Sequence, residues 1–338
     1  MSRRNLALLL GLLLISAVLF LLHLITGAVP LTVPMIMGAL FNGDESDIST
    51  RIVQEVRLPA AWTAVLAGSG LAACGLLMQT LFRNPLAGPS VLGLSSGASL
   101  GVAVLVLARP LWVVAWLPDE MGAVLGAFIG AMGALLLIML ADRRMGDGTG
   151  LLILGLMVGY LCGAIIDVLQ VAGSDGALRG FVLWGMGSFN EVVGSKLPWL
   201  MVPVALGLVI ALLLMKPLNA LLLGDDYARS LGIAVPTLRR TILLTAGLLG
   251  GTITAFCGPI AFLGLATPHV ARALCRNSDH RVLLPITIVT GVMLALFCGL
   301  VVKWPGLEGL PLNAVTSLLG APIVVWVLWS GERWARTS

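Results

Sequence analysis

Residues 6–25 are LALLLGLLLISAVLFLLHLI, a run of 20 residues without Asp, Glu, Lys or Arg. The run is apolar on every face, and a helix of this length crosses the ~30 Å hydrocarbon layer of a membrane. A transmembrane β-strand would instead alternate apolar and polar residues over ~10 positions. The stretch therefore predicts a membrane-spanning α-helix.

The composition extends this interpretation to the whole chain, because 59% of its 338 residues are hydrophobic and only 11% are charged. Soluble domains carry ~25% charged residues, so a water-soluble fold is excluded. We predict an all-α polytopic membrane protein with about ten transmembrane helices in a single domain, residues 1–338. The predicted spans are 6–26, 60–82, 91–108, 121–141, 150–172, 197–215, 241–257, 260–273, 282–302 and 314–330.

Basic residues near the span ends predict the orientation, because cytoplasmic loops carry an excess of Lys and Arg. With ten spans and a cytoplasmic amino terminus, only six of the 20 Lys and Arg residues fall outside. These six are Arg51, Arg57, Arg109, Arg179, Lys196 and Lys303. We therefore expect both termini in the cytoplasm. This bias explains the net charge of +4, so the charge implies no nucleic-acid partner.

The cytoplasmic segment 218–232, LNALLLGDDYARSLG, predicts a helix of about two turns. Asp225 is suited to cap the helix start, and Gly232 is suited to a left-handed stop. A helix this short is not stable alone, so it must lie against something. Either it rests on its own bundle, or it docks into a cleft on a partner protein.

Two glycine patterns indicate unusual backbone or packing. Gly93, Gly97 and Gly101 form a ridge of small residues that allows close helix packing. Gly258-Pro259 comes just before the short eighth span, which predicts a half-helix or a broken helix. Broken helices often line transport pathways, so Gly258 and Pro259 are candidate pathway residues.

Several short motifs follow one another along the chain. They are RLP at 57–59, GLLMQ at 75–79, RNPLAGP at 83–89, LGLSSGA at 92–98, SLG at 230–232, GPIAFLGL at 258–265 with PH at 268–269, and LP at 310–311 through GAP at 320–322. This ordered set resembles the iron-siderophore, haem and vitamin B12 permease family of type II ABC importers (FecCD-like).

The resemblance implies a homodimer in the bacterial inner membrane, two cytoplasmic ABC ATPase subunits, and a periplasmic or lipid-anchored substrate-binding protein. The segment 218–232 then matches the helix that couples the permease to the ATPase. Its coupling residues are Asp225, Asp226, Tyr227, Ala228, Arg229, Ser230, Leu231 and Gly232. The chain has no G-x-x-x-x-G-K-[ST] motif, so ATP and Mg are expected on the partner ATPase, and no catalytic residue, cofactor or metal is expected in this chain.

The resemblance also implies a docking site for the binding protein. Arg57 matches the family's arginine that pairs with an acidic residue of that protein, and Lys303 is a candidate for another such contact. The family's second basic position is Ala60 here, which departs from the pattern. The alternative for both residues is a place at the membrane surface with the charge directed to water.

Two charged residues are further pathway candidates. Asp167 is the one acidic residue well inside a predicted span, about five residues from its outer end. Arg179 lies in an amphipathic outer segment whose pattern resembles the family's haem permeases, and it is suited to meet an anionic group such as a propionate. The alternative for Arg179 is a membrane-surface anchor.

The predicted function is import of an iron chelate, haem or siderophore, with vitamin B12 as the alternative substrate. Two other classes compete with this interpretation. An ion-coupled secondary transporter needs ionisable groups inside the membrane, and Asp167 alone gives little support. An integral membrane enzyme needs His, Asp, Glu or Cys converging at one depth, and the sequence shows no such set.

Overall fold

The computed structural model describes residues 2–27, 29–41, 47–108, 119–145, 148–304, 306–307 and 309–334. Over these residues the chain is helical, without strands. The helices are α1 (Arg3–Ile25), α2 (Val33–Phe41), α3 (Ile48–Arg51), α4 (Leu58–Phe82), α5 (Leu94–Leu107), α6 (Asp119–Met145), α7 (Gly148–Ala172), α8 (Asp175–Gly185), α9 (Leu197–Leu213), α10 (Met215–Leu222), α11 (Asp225–Ser230), α12 (Val235–Cys257), α13 (Leu263–Cys275), α14 (His280–Val302) and α15 (Leu312–Trp334).

Within the described parts, seven helical stretches are long and apolar enough to cross a membrane, which confirms the predicted class. They are Arg3–Ile25, Ile48–Phe82, Gly122–Asp142, Gly150–Ala172, Gly194–Leu213, Val235–Cys257 and His280–Val302. The other three predicted spans coincide with α5, α13 and α15. Helices therefore occupy all ten predicted positions, while the number that cross the membrane stays a prediction. Arg109, used to predict the orientation, lies outside the described residues.

Helix α4 is the centre of the bundle. In the most apolar 18-residue stretch of the helical segment that contains α4, 89% of the residues are buried. In the corresponding stretches of α1 and of the segment that contains α9, only 22% are buried. α4 contacts α9, α12, α13 and α14, while much of α1, α7 and α9 is open to the surroundings. Because the membrane solvates apolar side chains, such open apolar faces are expected on the rim of a membrane bundle.

Several predicted helix starts come too late along the chain. The second span was predicted from residue 60, but the helix begins at Ile48 and passes through a π-helical turn, Ile52–Arg57, before α4. The seventh was predicted from residue 241, but α12 begins at Val235. Hydropathy placed both starts after the arginines, yet Arg57 and Arg239 lie in the helices because their guanidinium groups have partners.

The glycine ridge is partly confirmed. An added Cβ on Gly97 would lie 2.5 Å from the Gly130 carbonyl oxygen, and one on Gly101 would lie 1.9 Å from that of Gly126. These contacts join α5 to α6 at backbone distance. Gly93 has a different role, because it precedes α5 with φ +70 and lies against Gly155 of α7.

Candidate functional site

The segment 218–232 contains the end of α10 and all of α11, separated by Gly224 at φ +120. The predicted stop at Gly232 is confirmed by its φ of +80, a conformation that favours glycine. The predicted capping by Asp225 is wrong, because Gly224 is the N-cap and no side chain caps the helix. The Asp225 carboxylate instead accepts a 2.5 Å hydrogen bond from Arg83, and a charged guanidinium is a stronger donor than a backbone N–H.

One face of α11 is open to solvent. Tyr227 and Leu231 are 47% and 58% exposed, and Asp226 projects fully outward with an ion pair to Arg229 at 2.8 Å. Ala228 is fully buried and faces the bundle. The structure thus combines both alternatives for this segment, since α11 rests on its own bundle and still presents two large apolar side chains beside charged groups.

Two ion pairs tie α11 and the helix after it to distant parts of the bundle. Asp225 pairs with Arg83, which adopts φ +46 just after the end of α4. Four residues separate α11 from α12, whose Arg239 pairs with Asp142 of α6 at 2.8 Å. The two side chains are only 12% and 11% exposed. Sequence reasoning missed both pairings, because partners 142 and 97 residues apart leave no local pattern.

A buried polar network joins α4 to α13 next to the turn at 84–88. Gln79 donates to the Leu265 carbonyl at 3.1 Å and accepts from Arg272 at 2.6 Å. The ring of His269 donates to the Pro85 carbonyl at 2.8 Å. These bonds give His269 a structural function.

A second polar cluster joins α10, α14 and α4. The side chain of Asn219 donates to Asp279 at 2.6 Å and accepts from the backbone of His280 at 2.8 Å, while the His280 ring meets Thr80 at 2.8 Å. Hydrogen bonds from the backbone N–H of Arg281 and from Asn219 hold the pKa of Asp279 below its usual range. The segment 218–232 is thus fixed to the bundle core by hydrogen bonds as well as by apolar contacts.

The predicted break at Gly258-Pro259 is confirmed. α12 ends at Cys257, Gly258 adopts φ +73, and α13 begins only after Phe262 at φ +61. A Cβ on Gly258 would lie 2.3 Å from the Trp184 carbonyl oxygen of α8.

The backbone groups freed by this break have partners on neighbouring elements. The Cys257 carbonyl accepts from the Ser188 N–H at 2.8 Å, and the Ala261 N–H donates to the Asn313 side chain at 3.0 Å. The backbone N–H of Asn313 in turn donates to the Met186 carbonyl at 3.0 Å. A broken helix inside a membrane requires such satisfaction, and Asn313, which the sequence did not single out, links the break to the end of α8.

A cavity of about 410 Å³ lies beside the break, at the ends of α1, α8 and α14. It is lined among others by His23, Glu191 and Lys303, and the Lys303 ammonium donates to His23 Nδ1 at 3.1 Å. Burial, assisted by the positive charge of Arg57, lowers the pKa of Lys303 to about 8. Lys303 is thus a half-enclosed cation at the edge of this cavity.

Arg57 is enclosed in the bundle. The residue is only 4% exposed, and its guanidinium donates to the carbonyls of Leu24 and Ile25 at 2.7 and 2.8 Å and to that of Val29. Two bonds at the carboxyl end of α1 and one to Val29 beyond it give Arg57 a structural function, because a cation there satisfies free carbonyls and the helix dipole. Its docking contact stays a prediction and requires the side chain to leave these carbonyls.

The two charged pathway candidates lie apart from this cavity. Asp167 is exposed on α7, as are its neighbours Val168 and Val171. Arg179 is exposed on α8. Neither lines the 410 Å³ cavity. The predicted amphipathic segment is confirmed as α8, whose Phe181 and Trp184 face the bundle while Arg179 faces outward.

Comparison with known proteins explains this arrangement. The sequence model of the FecCD transport family matches residues 13–330. The chain belongs to the FecCD transport family. The hemin transport system permease protein HmuU of Yersinia pestis is 37% identical over 86% of both chains, and the vitamin B12 import system permease protein BtuC of Klebsiella pneumoniae is 35% identical over 82% of both.

Solved structures support the same conclusion for the fold. An inward-facing conformation of a putative metal-chelate type ABC transporter superposes with a TM-score of 0.82, at 28% identity, over 96% of this chain and 99% of that one. PsaBC from Streptococcus pneumoniae shares the fold, with a TM-score of 0.55 over 86% of this chain and 94% of that one at 15% identity. This FecCD protein is therefore an integral inner-membrane permease with the type II ABC importer fold.

Proposed function

We propose that this FecCD permease works as a homodimer with two cytoplasmic ABC ATPase subunits and an external substrate-binding protein. The observation that carries the proposal is α11, a helix of six residues between two left-handed glycines with Tyr227 and Leu231 on its open face. A short helix with a mixed apolar and charged face suits a cleft on a partner. In this arrangement both chain termini lie in the cytoplasm, and residues 1–338 act as one permease domain.

Force from the ATPase would enter the bundle through the ion pairs of α11 and α12. Asp225 passes motion to Arg83 at the end of α4, the most buried helix, and Arg239 passes it to Asp142 on α6. The permease holds no nucleotide motif, so ATP and Mg belong to the partner subunits. Alternating access then follows from ATP-driven closure of those subunits.

On the outer side, Lys303 supports docking of the binding protein better than Arg57 does. Lys303 lies at an open cavity, whereas three carbonyls already accept from the Arg57 guanidinium. An acidic side chain of the binding protein that reaches Lys303 would meet an ammonium whose hydrogen-bond partner among the described residues is His23.

The translocation path would run past the break at Gly258 and Pro259, with Asp167 and Arg179 as its polar contacts. The break satisfies its own backbone through α8 and α15, so it can line a path without exposing free polar groups to lipid. Asp167 and Arg179 are exposed in the single chain, which leaves them free to face the partner protomer across a shared path.

For the cargo we propose an iron chelate, with haem first. HmuU, whose name gives hemin transport, shares 37% identity, and an exposed Arg179 on the outward face of α8 suits a propionate. Vitamin B12 is the second candidate, because BtuC shares 35% identity over a similar length. Siderophores lie in the same proposed class.

The test is uptake by proteoliposomes that contain the permease, its ATPase and its binding protein. Haem, a ferric siderophore and cobalamin are supplied separately, and their uptake should differ. Haem should accumulate inside the proteoliposomes, and only when ATP is present on the ATPase side. Cobalamin uptake without haem uptake would select the second candidate. Uptake driven by a proton or sodium gradient without any ATPase would contradict the importer and support a secondary transporter.

The matched variant for the ATPase contact is Leu231→Ala, with Leu10→Ala as control because both leucines are 58% exposed. We expect the first to lower the apparent affinity for the ATPase about tenfold, the loss of one interface anchor, and the second to leave it unchanged. Equal affinities for the ATPase would contradict docking through α11.

A further inference from the structure

The amino-terminal end of α1 forms a pocket with the turn between α13 and α14. The pocket measures about 340 Å³ and is lined by Ser2, Arg4, Asn5, Cys275, Arg276 and Asn277. Two of these six residues are cations and none is an anion. The transport mechanism proposed above uses none of them.

Among the described residues, most N–H donors of the two arginines have no partner. Arg4 gives one N–H to the Cys275 carbonyl at 2.8 Å, which fixes the guanidinium at the pocket wall. Arg276 adopts φ +48 and is exposed, and its guanidinium meets no hydrogen-bond or ion-pair partner among the described residues. Two neighbouring guanidinium groups without a carboxylate suit a phosphate, which accepts several N–H bonds at once.

Asn5 provides an independent indication of a ligand. It lines the pocket and is only 5% exposed, yet its side-chain oxygen Oδ1 has no hydrogen-bond partner within the part of the chain that the structure describes. A buried acceptor without a partner costs roughly 1–3 kcal/mol, so a donor that pairs with it from the pocket is favoured. A ligand hydroxyl is such a donor, which fits a ligand that carries hydroxyl groups beside its phosphate.

The helix end adds to the attraction for an anion. α1 is a 23-residue helix that begins at the pocket, with Ser2 as N-cap, and its first-turn N–H groups carry a partial positive charge. Apolar surface continues on both sides, because Leu6 on α1 is 49% exposed and Leu274 near the end of α13 is 40% exposed. A polar pocket between exposed leucines, at the end of a membrane-spanning helix, has the chemistry of a lipid headgroup site.

We propose that this pocket binds the headgroup of an anionic phospholipid of the phosphatidylglycerol type, with its phosphate between Arg4 and Arg276 and a glycerol hydroxyl at Asn5. The lipid would then join α1 to the turn between α13 and α14.

The test is native mass spectrometry of the full chain released from nanodiscs, titrated with phosphatidylglycerol or phosphatidylcholine. We expect the wild type to retain one phosphatidylglycerol at least tenfold more tightly than phosphatidylcholine. Arg276→Gln should remove most of that preference, while Arg281→Gln, an exposed arginine outside the pocket, should keep it. Asn5→Leu should weaken phosphatidylglycerol binding severalfold, which a mere surface charge would not explain.

Three results would overturn the proposal. One is equal retention of both lipids by the wild type, which needs no variant to fold. Another is equal loss in Arg281→Gln and Arg276→Gln, since that indicates unspecific surface charge. The third is displacement of the lipid by millimolar inorganic phosphate, because the pocket would then be a site for free phosphate.

Discussion

The helix α11 and the break at 258–262 are both short irregular segments between longer helices, but they are held in different ways. α11 is held by side chains, above all the Asp225 to Arg83 pair, and one face stays open. The break is held through its own backbone groups, which bond to the Ser188 N–H and the Asn313 side chain, and by the close approach of Gly258 to Trp184. Side-chain attachment permits a segment to move with a partner, whereas backbone attachment allows one conformation.

The largest effect is expected at the break. Gly258→Val should lower the free energy of unfolding by about 3 kcal/mol or more, because its Cβ would lie 2.3 Å from the Trp184 carbonyl oxygen in a left-handed conformation. The shift in melting temperature of the purified chain in detergent measures this loss. The control is Gly176→Ala on α8, where no atom lies within 4 Å of the added Cβ, and its stability should not fall. A stable Gly258→Val variant would show that the close approach of Gly258 to Trp184 does not hold the break in one conformation.

A smaller loss is expected where α12 is attached to α6. Asp142→Asn removes one charge from a pair with side chains 12% and 11% exposed, and should cost about 2 kcal/mol because Arg239 is left without its counter-ion. Thermal unfolding in detergent measures the change. The exchange variant Asp142→Arg with Arg239→Asp should recover part of the loss. If the exchange variant recovers no stability, the stabilising effect of the pair depends on the groups around it and not on the attraction between the two charges.

At α11 itself we expect little change in stability but a clear change in coupling. Arg83→Gln breaks a pair with side chains 47% and 35% exposed, so the free energy of unfolding should change by less than ~1 kcal/mol. Transport per ATP hydrolysed in proteoliposomes should fall severalfold, because α4 no longer follows α11.

The exchange variant Arg83→Asp with Asp225→Arg is the control for this prediction. It should restore the ratio of transport to hydrolysis, since the charges are the same but reversed. If Arg83→Gln keeps the wild-type ratio, the force from the ATPase enters by another route.

Near neutral pH the smallest effect concerns the cavity beside the break, because stability depends on pH there only above about pH 8. Lys303 has its pKa lowered to about 8, so the folded chain releases this proton before the unfolded chain does. Stability should therefore rise with pH from about 8 towards ~10.5, the ordinary lysine value, and this part of the rise should be absent in Lys303→Met. NMR of 13C-dimethylated lysines, with the signal assigned by Lys303→Met, measures the midpoint. A midpoint near 10 would show that the cavity hydrates the ammonium fully.

Hydropathy predicted the membrane class and the positions of ten helices. Glycine and proline residues predicted the helix stop at Gly232 and the break at Gly258-Pro259. These features depend on neighbouring residues alone, because apolar length decides whether a segment enters lipid, and glycine and proline decide where a helix stops. The family motifs were likewise readable in order along the chain.

Only the tertiary structure decided which charged side chains are paired inside the bundle and which can meet a ligand or a partner protein. Arg57 is enclosed by the carbonyl groups at the end of α1, and Asp225 pairs with Arg83 instead of capping its own helix. The pocket at Arg4 and Arg276 also needs two chain segments about 270 residues apart. A charge selects its partner by distance in space, and the sequence specifies distance only along the chain.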